Sequence, residues 1–131
     1  MTREDIYREF AIYAAHPLNA PLTIKDMNNR LDLIVSEVLE FVESVENLVA
    51  EIEEANETTV TSRADMLKEL ADVQYTISGF AASFGLNLEV AFQRVHESNL
   101  SKFLGGVEYN DDNKVMKGAD YQPPNLEDLV T

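Results

Sequence analysis

The sequence predicts an all-α fold, in which four main helices form a bundle and an irregular arm follows them. Apolar residues recur three and four positions apart along most of residues 6–104, which is typical of amphipathic helices. Residues 23–55 contain no Gly or Pro, and so long a helix in a chain of 131 residues indicates a bundle. Few strand signals precede residue 105. We therefore assign residues 1–131 to one domain, with residues 105–131 as its C-terminal arm.

The composition argues against several classes of protein. The chain carries 10 basic and 24 acidic residues, and its formal net charge of -14 disfavours a surface for nucleic acid or anionic membranes. The absence of Cys excludes a disulfide framework and a thiolate zinc site. No apolar run reaches the roughly 18 residues of a membrane span. The first ten residues are charged, unlike a signal peptide. We expect a soluble cytoplasmic protein with neither nucleic acid nor membrane as partner.

The first helix is predicted over residues 2–15 as an amphipathic helix, with Ile6, Phe10 and Tyr13 on one face. Pro17 disfavours helical geometry in the residue before it, so the helix should end at His16. Residues 16–22 should form a loop, because two prolines interrupt regular structure there.

The second helix is predicted from Thr23, which is a suitable N-cap, to about Ala55. Asp26 in its first turn suits the helix dipole. The apolar residues expected to face the core share helical spacing; they are Met27, Leu31, Leu33, Ile34, Val38, Phe41, Val42, Val45, Leu48 and Ile52.

The third helix follows a polar break, and Ser62 with Asp65 resembles a capping box that would begin it. Its expected inward residues are Met66, Leu70, Val73, Ile77, Phe80 and Phe84. Gly85 is a suitable residue to end it.

The fourth helix should begin after Asn87 as its N-cap and run to about Leu104, where two glycines end it. Val95, Leu100 and Phe103 continue its apolar face. Beyond it, turn sequences predict an extended arm or short hairpin, with a last helical turn.

Two carboxylate pairs lie at the border of these apolar stripes. Glu37 and Glu40 are three residues apart on the second helix, and Glu69 and Asp72 are three apart on the third. Residues at this spacing share a helix face, so antiparallel packing would bring the four carboxylates together. Such a cluster requires protons, cationic side chains or a metal, and all-oxygen ligation favours Mg²⁺ or Mn²⁺. The alternative is a solvated acidic face, which is common for a single pair.

A second polar pair lies near the end of the fourth helix. Asn99 and Lys102 are three residues apart. Asn is unfavourable inside a helix unless its side chain makes a bond, and Lys binds phosphate as a point charge. The alternative is an exposed Asn and a Lys that offsets nearby acids. His96 is better explained as a surface histidine than as a metal ligand.

Taken together, these segments resemble the all-α nucleoside triphosphate pyrophosphohydrolases, the superfamily of MazG, dimeric dUTPases and phosphoribosyl-ATP pyrophosphohydrolase. The superfamily signature, EExxE on one helix and ExxD on the next, is similar to SEVLE at residues 36–40 and ELAD at residues 69–72. The ordered segments RLDLIVSEVLEF, ELADVQYTISGFAASFGLNLEVAF, RVHESNLSKF and KVMKGADYQPPNL resemble a small single-domain subgroup that is frequent in phages and bacteria. The resemblance covers residues 6–126.

This resemblance implies hydrolysis of a (deoxy)nucleoside triphosphate between its α and β phosphates, to the monophosphate and pyrophosphate, in control of nucleotide pools. The implied cofactor is Mg²⁺, with Mn²⁺ as an alternative. The implied metal ligands are Glu37, Glu40, Glu69 and Asp72, of which Glu37 and Glu40 are also catalytic. The implied phosphate-binding residues are Asn99, Lys102, Lys117, Tyr121 and Arg30, the last with a structural role as the alternative. A base pocket is suggested at Ile12, Leu18 and Asn19. If a phage encodes the chain, it would act in the host cytoplasm.

One position departs from the signature, because Ser36 stands where the superfamily has its first acidic residue. A hydroxyl is a weak metal ligand and cannot act as a general base near neutral pH. The number of bound metals and the identity of the base therefore stay open.

The resemblance also implies a MazG-like homodimer or homotetramer, which fits a long apolar second helix. Three other functions stay open from the sequence. One is hydrolysis of phosphoribosyl-ATP, and another is a non-catalytic acidic helical interaction module. The third is a helical nucleotide sensor that shares the site but has no turnover. The enzyme hypothesis predicts that Glu37→Gln and Asp72→Asn abolish turnover while the fold persists. The module hypothesis predicts unchanged metal binding or a more stable fold.

Overall fold

The all-α prediction is confirmed. A computed structural model describes residues 1–106, 108–116 and 118–131, and within them the chain forms four α-helices. The helices are α1 (Arg3–Ala14), α2 (Ile24–Ala55), α3 (Val60–Ser83) and α4 (Leu88–Ser101). An antiparallel pair of two-residue strands, β1 (Glu108–Tyr109) and β2 (Val115–Met116), and a 3₁₀ turn (Glu127–Leu129) follow. The predicted arm with a short hairpin and a last helical turn is therefore present.

The chain forms two compact units, Met1–Gly85 and Leu86–Thr131. The assignment of the whole chain to one domain stays a prediction. No helix among the described residues combines the length and the apolar character needed to cross a bilayer.

In the first unit, α2 and α3 form an antiparallel hairpin. Their connection spans only residues 56–59, and Glu51 near the end of α2 accepts a hydrogen bond from the Thr59 backbone N–H at 3.0 Å. Further from the connection, the Glu40 and Glu69 side chains approach each other across the same hairpin. The antiparallel pairing that the short connection predicted is what brings these carboxylates to one place.

Helix starts follow local capping chemistry. The Thr23 hydroxyl accepts from the Asp26 N–H at 3.2 Å, and the Asn87 side chain accepts from the Val90 N–H, as predicted. The predicted start of α3 at Ser62 is wrong. Thr59 caps this helix one turn earlier, and the Ser62 N–H donates to its hydroxyl at 3.1 Å. Because Thr59 caps the N–H of Ser62, Ser62 lies inside the first turn and the helix begins at the earlier residue.

The buried face of α1 is not the face that carries Ile6, Phe10 and Tyr13. Ile6, Phe10 and Tyr13 are exposed, and the buried residues of this helix are Glu4, Tyr7 and Ala11. The reason is the packing of α1 on α3, where Gly79, Ala82 and their small neighbours leave room for the Tyr7 ring. The loop after α1 then bonds to the end of α3 through its backbone, with Asn19 N–H to Ala82 O at 3.1 Å and Ala20 N–H to Ser83 O at 2.7 Å.

Much of the apolar stripe of α2 is exposed on the single chain. Leu48 is buried, and Ile34, Phe41 and Val45 are half-buried, as expected of core residues. The exposed apolar residues of this helix are 38–79% accessible; they are Ile24, Leu31, Leu33, Val35, Val38, Leu39, Val42, Val49 and Ile52. The main helical neighbour of α2 is α3, because α1 packs on α3 instead. One neighbour covers only part of so wide a stripe. The prediction that Leu31, Leu33, Val38, Val42 and Ile52 face the core of this chain is therefore wrong.

In the second unit, the arm packs on α4 through polar groups. The Ser98 hydroxyl donates to the Gln122 carbonyl at 2.7 Å, and the Gln122 N–H donates to the Ser101 hydroxyl at 2.9 Å. The Arg94 guanidinium donates to both Asp128 oxygens, at 2.6 and 3.1 Å. The buried residues of α4 are consequently Ser98 and Ser101. The apolar face predicted here is exposed, at Val95 and Leu100 on the helix and at Phe103 just beyond its end.

Candidate metal and nucleotide site

Three of the four predicted metal ligands meet in the first unit. Glu37 and Glu40 lie one turn apart on α2, and Glu69 faces them from α3. One carboxylate oxygen from each residue lies within 4.8 Å of the other two. This spacing suits ligation of one divalent cation by oxygen atoms from two helices.

Two oxygens of this cluster have unmet bonding capacity. Glu37 Oε2 and Glu69 Oε2 are buried, and neither has a hydrogen-bond partner among the described residues. Burial raises the pKa of Glu37 above its ordinary value, and the Glu40, Asp72 and Glu69 carboxylates raise it further. Buried carboxylate oxygens without donors and with negative neighbours are unfavourable unless a proton or a cation satisfies them. The cluster therefore fits a divalent metal ion such as Mg²⁺ or Mn²⁺.

The fourth predicted ligand, Asp72, pairs with a lysine that the sequence analysis did not single out. Lys68 Nζ lies 2.9 Å from Asp72 Oδ2 and 3.3 Å from Glu69 Oε1. Asp72 is close enough to the cluster for its charge to raise the pKa of Glu37. The sequence did hold a signal for the pair, because Lys68 and Asp72 are four positions apart on one helix.

An aromatic cavity of about 200 Å³ lies along the same two helices. It is lined by Tyr7, Phe10, His16, Arg30, Leu33, Tyr75, Thr76 and Gly79. On α2, Leu33 precedes Glu37 by one turn, and on α3, Tyr75 follows Asp72 by one turn. Because the helices are antiparallel, both steps lead to the same side of the carboxylate cluster. The cavity therefore adjoins the carboxylates.

The walls of the cavity combine aromatic rings with a hydrogen-bonded polar cluster of Tyr7, His16 and Arg30. Tyr75 makes edge-to-face contacts with Tyr7 and Phe10, at centroid distances of 5.4 and 5.6 Å. The Tyr7 hydroxyl lies 3.0 Å from His16 Nδ1 and accepts a long hydrogen bond from Arg30 Nη1 at 3.4 Å. Burial raises the pKa of Tyr7, whereas the adjacent guanidinium lowers it. The cavity thus offers faces for stacking and one hydrogen-bonding edge.

The chain matches the family described as phosphoribosyl-ATP pyrophosphohydrolase over residues 7–99. The chain belongs to this family. The family is part of the MazG-like nucleoside triphosphate pyrophosphohydrolase superfamily, so the protein is a nucleotide pyrophosphohydrolase. Its members generally depend on a divalent metal. No curated protein matches the chain.

The match includes all four carboxylates, Arg30 and Asn99, but it ends before Lys102, Lys117 and Tyr121. Asn99 is exposed on α4, and Lys102 is half-buried as the C-terminal cap of that helix. Lys102 O accepts from the Gly118 N–H at 3.1 Å, so the arm returns to the end of α4. Tyr121 is half-buried just beyond this contact, and Lys117 lies outside the described residues. Their phosphate-binding role stays a prediction.

The three residues predicted for the base pocket do not line the aromatic cavity. Ile12 is 72% exposed, and Leu18 packs against the buried Tyr7, Ala11 and Ala82. Asn19 has a φ of +52° and bonds through its backbone to the end of α3. The residues that sequence reasoning missed are Tyr7, Phe10 and Tyr75. Their aromatic character was a signal, but their convergence depends on how α1 packs on α3.

Proposed function

We propose that this protein hydrolyses a (deoxy)nucleoside triphosphate between the α and β phosphates, giving the monophosphate and pyrophosphate. The observation that carries this proposal is the convergence of Glu37, Glu40 and Glu69, with two buried oxygens that lack partners. Asp72 would be the fourth metal ligand, after the Lys68 ammonium group has moved away from its carboxylate. A bound Mg²⁺ or Mn²⁺ would supply neutralisation of phosphate charge and a more acidic water.

Within this site, Glu37 is the residue best suited to orient or deprotonate the attacking water. Ser36, which stands where the superfamily has an acid, lies exposed on α2 and offers only a hydroxyl. Glu37 follows it directly, and one of its oxygens is buried without a partner beside Glu40 and Glu69, where it can accept a hydrogen bond from a water molecule. Glu40, one turn later, would hold the cation and keep Glu37 in place.

The aromatic cavity supports a location for the base. With the triphosphate at the carboxylates, a base could enter the adjoining cavity and stack against the rings of Phe10 and Tyr75. His16 and the Tyr7 hydroxyl would then meet a polar edge of the base. A cavity of about 200 Å³ suits one ring system, whereas whole ligands of drug size need about 300 Å³ or more. Arg30 would act through Tyr7 in this arrangement.

Phosphoribosyl-ATP is the second candidate substrate, because the description of the matching family names it. Cleavage would again release pyrophosphate, so the carboxylate site suits either substrate. Few basic residues surround the cavity among those described, with Arg30 its one strongly basic lining residue. An additional phosphoribosyl group would need more cations than that, so we favour a simple nucleotide.

A homodimer or homotetramer is part of the proposal. Nine apolar residues of α2 are at least 38% exposed on one chain, which is unfavourable in water. A second copy of the same helix is a matching apolar surface, since symmetric dimers bury identical patches.

A product assay tests the proposed reaction. The protein would be incubated with Mg²⁺ or Mn²⁺ and, separately, with each common NTP, each common dNTP and phosphoribosyl-ATP. We expect a monophosphate and pyrophosphate from a nucleoside triphosphate, and none from the Glu37→Gln variant. Glu43→Gln, at an exposed position of the same helix, is the matched control and should stay active.

The products also separate the alternatives. Diphosphate and orthophosphate would contradict the proposed bond cleavage. Hydrolysis of phosphoribosyl-ATP and of no other compound would identify phosphoribosyl-ATP as the substrate. Absence of turnover on every substrate would favour the acidic interaction module over the enzyme.

A further inference from the structure

Lys68 on α3 contacts two of the proposed metal ligands at the same time. Its Nζ atom is 2.9 Å from Asp72 Oδ2 and 3.3 Å from Glu69 Oε1. The lysine side chain is 64% exposed, whereas that of Glu69 is 12% exposed. An ammonium group reaching in from solvent therefore contacts an otherwise buried carboxylate.

The contact with Glu69 distinguishes Lys68 from an ordinary surface partner. The Lys68–Asp72 pair alone has the common spacing of four positions on a helix, and such exposed pairs contribute little to stability. Glu69, however, also faces Glu37 and Glu40, and its second oxygen is buried without a partner. Lys68 is the one cationic side chain that the described ion pairs bring to these carboxylates.

We propose that Lys68 is a built-in counter-cation, which a divalent ion must displace from Glu69 and Asp72 before both can act as ligands. Lys68 would therefore set the metal concentration at which the site fills. This inference rests on the proposed metal site, and it adds a residue that the carboxylate signature does not contain.

Simple electrostatics gives the direction of the effect. A divalent ion at Glu69 and an ammonium group on the same carboxylate repel each other, so filling the site requires Lys68 to leave. Its exposure makes that movement feasible, because the head group can turn into solvent while the stem stays on the helix. Removing its charge should tighten metal binding by about tenfold, with solvent screening limiting the gain.

The test measures Mn²⁺ binding to the nucleotide-free protein, by the electron spin resonance signal of free Mn²⁺. Lys68→Gln removes the charge, and Lys68→Arg keeps it. Lys25→Gln is the matched control, because Lys25 is exposed on α2 and twelve positions before Glu37, about 18 Å along the helix axis. Circular dichroism would verify the fold of each variant.

We expect Lys68→Gln to bind Mn²⁺ about tenfold more tightly than wild type. Lys25→Gln should stay within about twofold of wild type, because its charge is screened at that distance. Lys68→Arg should retain the wild-type affinity. The rise in melting temperature at a fixed Mn²⁺ concentration should be larger for Lys68→Gln than for either other variant, since ligand binding stabilises the fold.

Equal or weaker Mn²⁺ binding by Lys68→Gln than by Lys25→Gln would overturn the role of Lys68. If the wild type still binds the metal and hydrolyses nucleotide in that case, the proposed function is retained and only the role of Lys68 is rejected. If neither the wild type nor Lys68→Gln binds Mn²⁺, and no nucleotide is hydrolysed, both the role of Lys68 and the proposed function fail.

Discussion

Gly79 in α3 lies directly against the ring of Tyr7 in α1. A Cβ atom at position 79 would be 2.8 Å from two carbons of that ring and 3.2 Å from its hydroxyl oxygen. Tyr7 is itself 4% exposed and forms the polar centre of the aromatic cavity. This close approach fixes how α1 packs on α3 and hence the shape of the cavity.

Gly79→Ala should therefore lower the free energy of unfolding by about 1–3 kcal/mol, the usual cost of overpacking. The sign of this change is informative, because at an ordinary helix position the replacement of glycine by alanine raises the free energy of unfolding by about 1 kcal/mol. Chemical denaturation would measure the change. In the Tyr7→Ala background the added methyl group meets no ring, so the penalty should vanish. An equal loss in both backgrounds would refute the contact as its cause.

The raised pKa of Glu37 makes the metal-free protein sensitive to pH. A carboxyl group whose pKa is higher in the folded state contributes stability below its ordinary value of 4.5, and that stability is lost as pH rises through the folded-state pKa. Glu37→Gln removes this titration. In the presence of a chelator, this variant should have a higher melting temperature than the wild type at neutral pH. Its melting temperature should also fall less than that of the wild type as the pH rises above 4.5. Added Mg²⁺ should stabilise the wild type and leave the variant unchanged. An identical pH profile for the two proteins would contradict this prediction.

Ser36→Glu should restore the first acid of the superfamily signature. Ser36 is exposed and directly precedes Glu37, so a longer carboxylate side chain has room there. We expect higher metal affinity or faster turnover, measured by Mn²⁺ titration and by pyrophosphate release. Ser36→Ala, which adds no ligand, is the control. If Ser36→Glu changes neither quantity, Ser36 has not replaced a useful ligand.

Gly118→Ala should loosen the arm from α4. A Cβ atom there would be 2.5 Å from the carbonyl oxygens of Lys102 and Leu104, which is too close for either group to remain in place. Hydrogen exchange should increase for the Gln122 N–H, which Ser101 protects. Asp111→Ala, in the exposed hairpin turn, should leave this exchange unchanged. Unchanged exchange at Gln122 would argue against this contact as the anchor.

The exposed stripe of α2 predicts a change of oligomeric state on substitution. Leu39 is 63% exposed at its centre, so Leu39→Lys would place a charge inside the proposed interface between copies. We expect the molar mass from light scattering to fall to that of the 14.7 kDa monomer. Val60→Lys alters a comparably exposed residue, 73% accessible at the start of α3, and should leave the mass unchanged. A monomeric wild type would contradict the oligomer itself.

Much of the local structure followed from the sequence, because its causes are local. Thr23 and Asn87 cap their helices with their own side chains, and Gly85 ends α3 with a φ of +65°. The spacing within each carboxylate pair placed its members on one helix face, and the short connection between α2 and α3 set the two pairs opposite each other. These features depend on residues within a few positions of one another, or on one short loop.

Other features were decided only by tertiary packing. Periodicity grouped Ile6, Phe10 and Tyr13 on one face of α1, but the neighbouring helix selected the face of Tyr7 and Ala11, because Gly79 and Ala82 leave space there. Likewise, Lys68, Glu69 and Asp72 are close together on one helix, but only the fold brought Glu69 to face two acids on another helix. Sequence spacing determines which side chains share a surface. Which of these surfaces is buried depends on the shape of the helix that packs against it. The same shape decides which atoms meet there, and that helix is distant in the sequence.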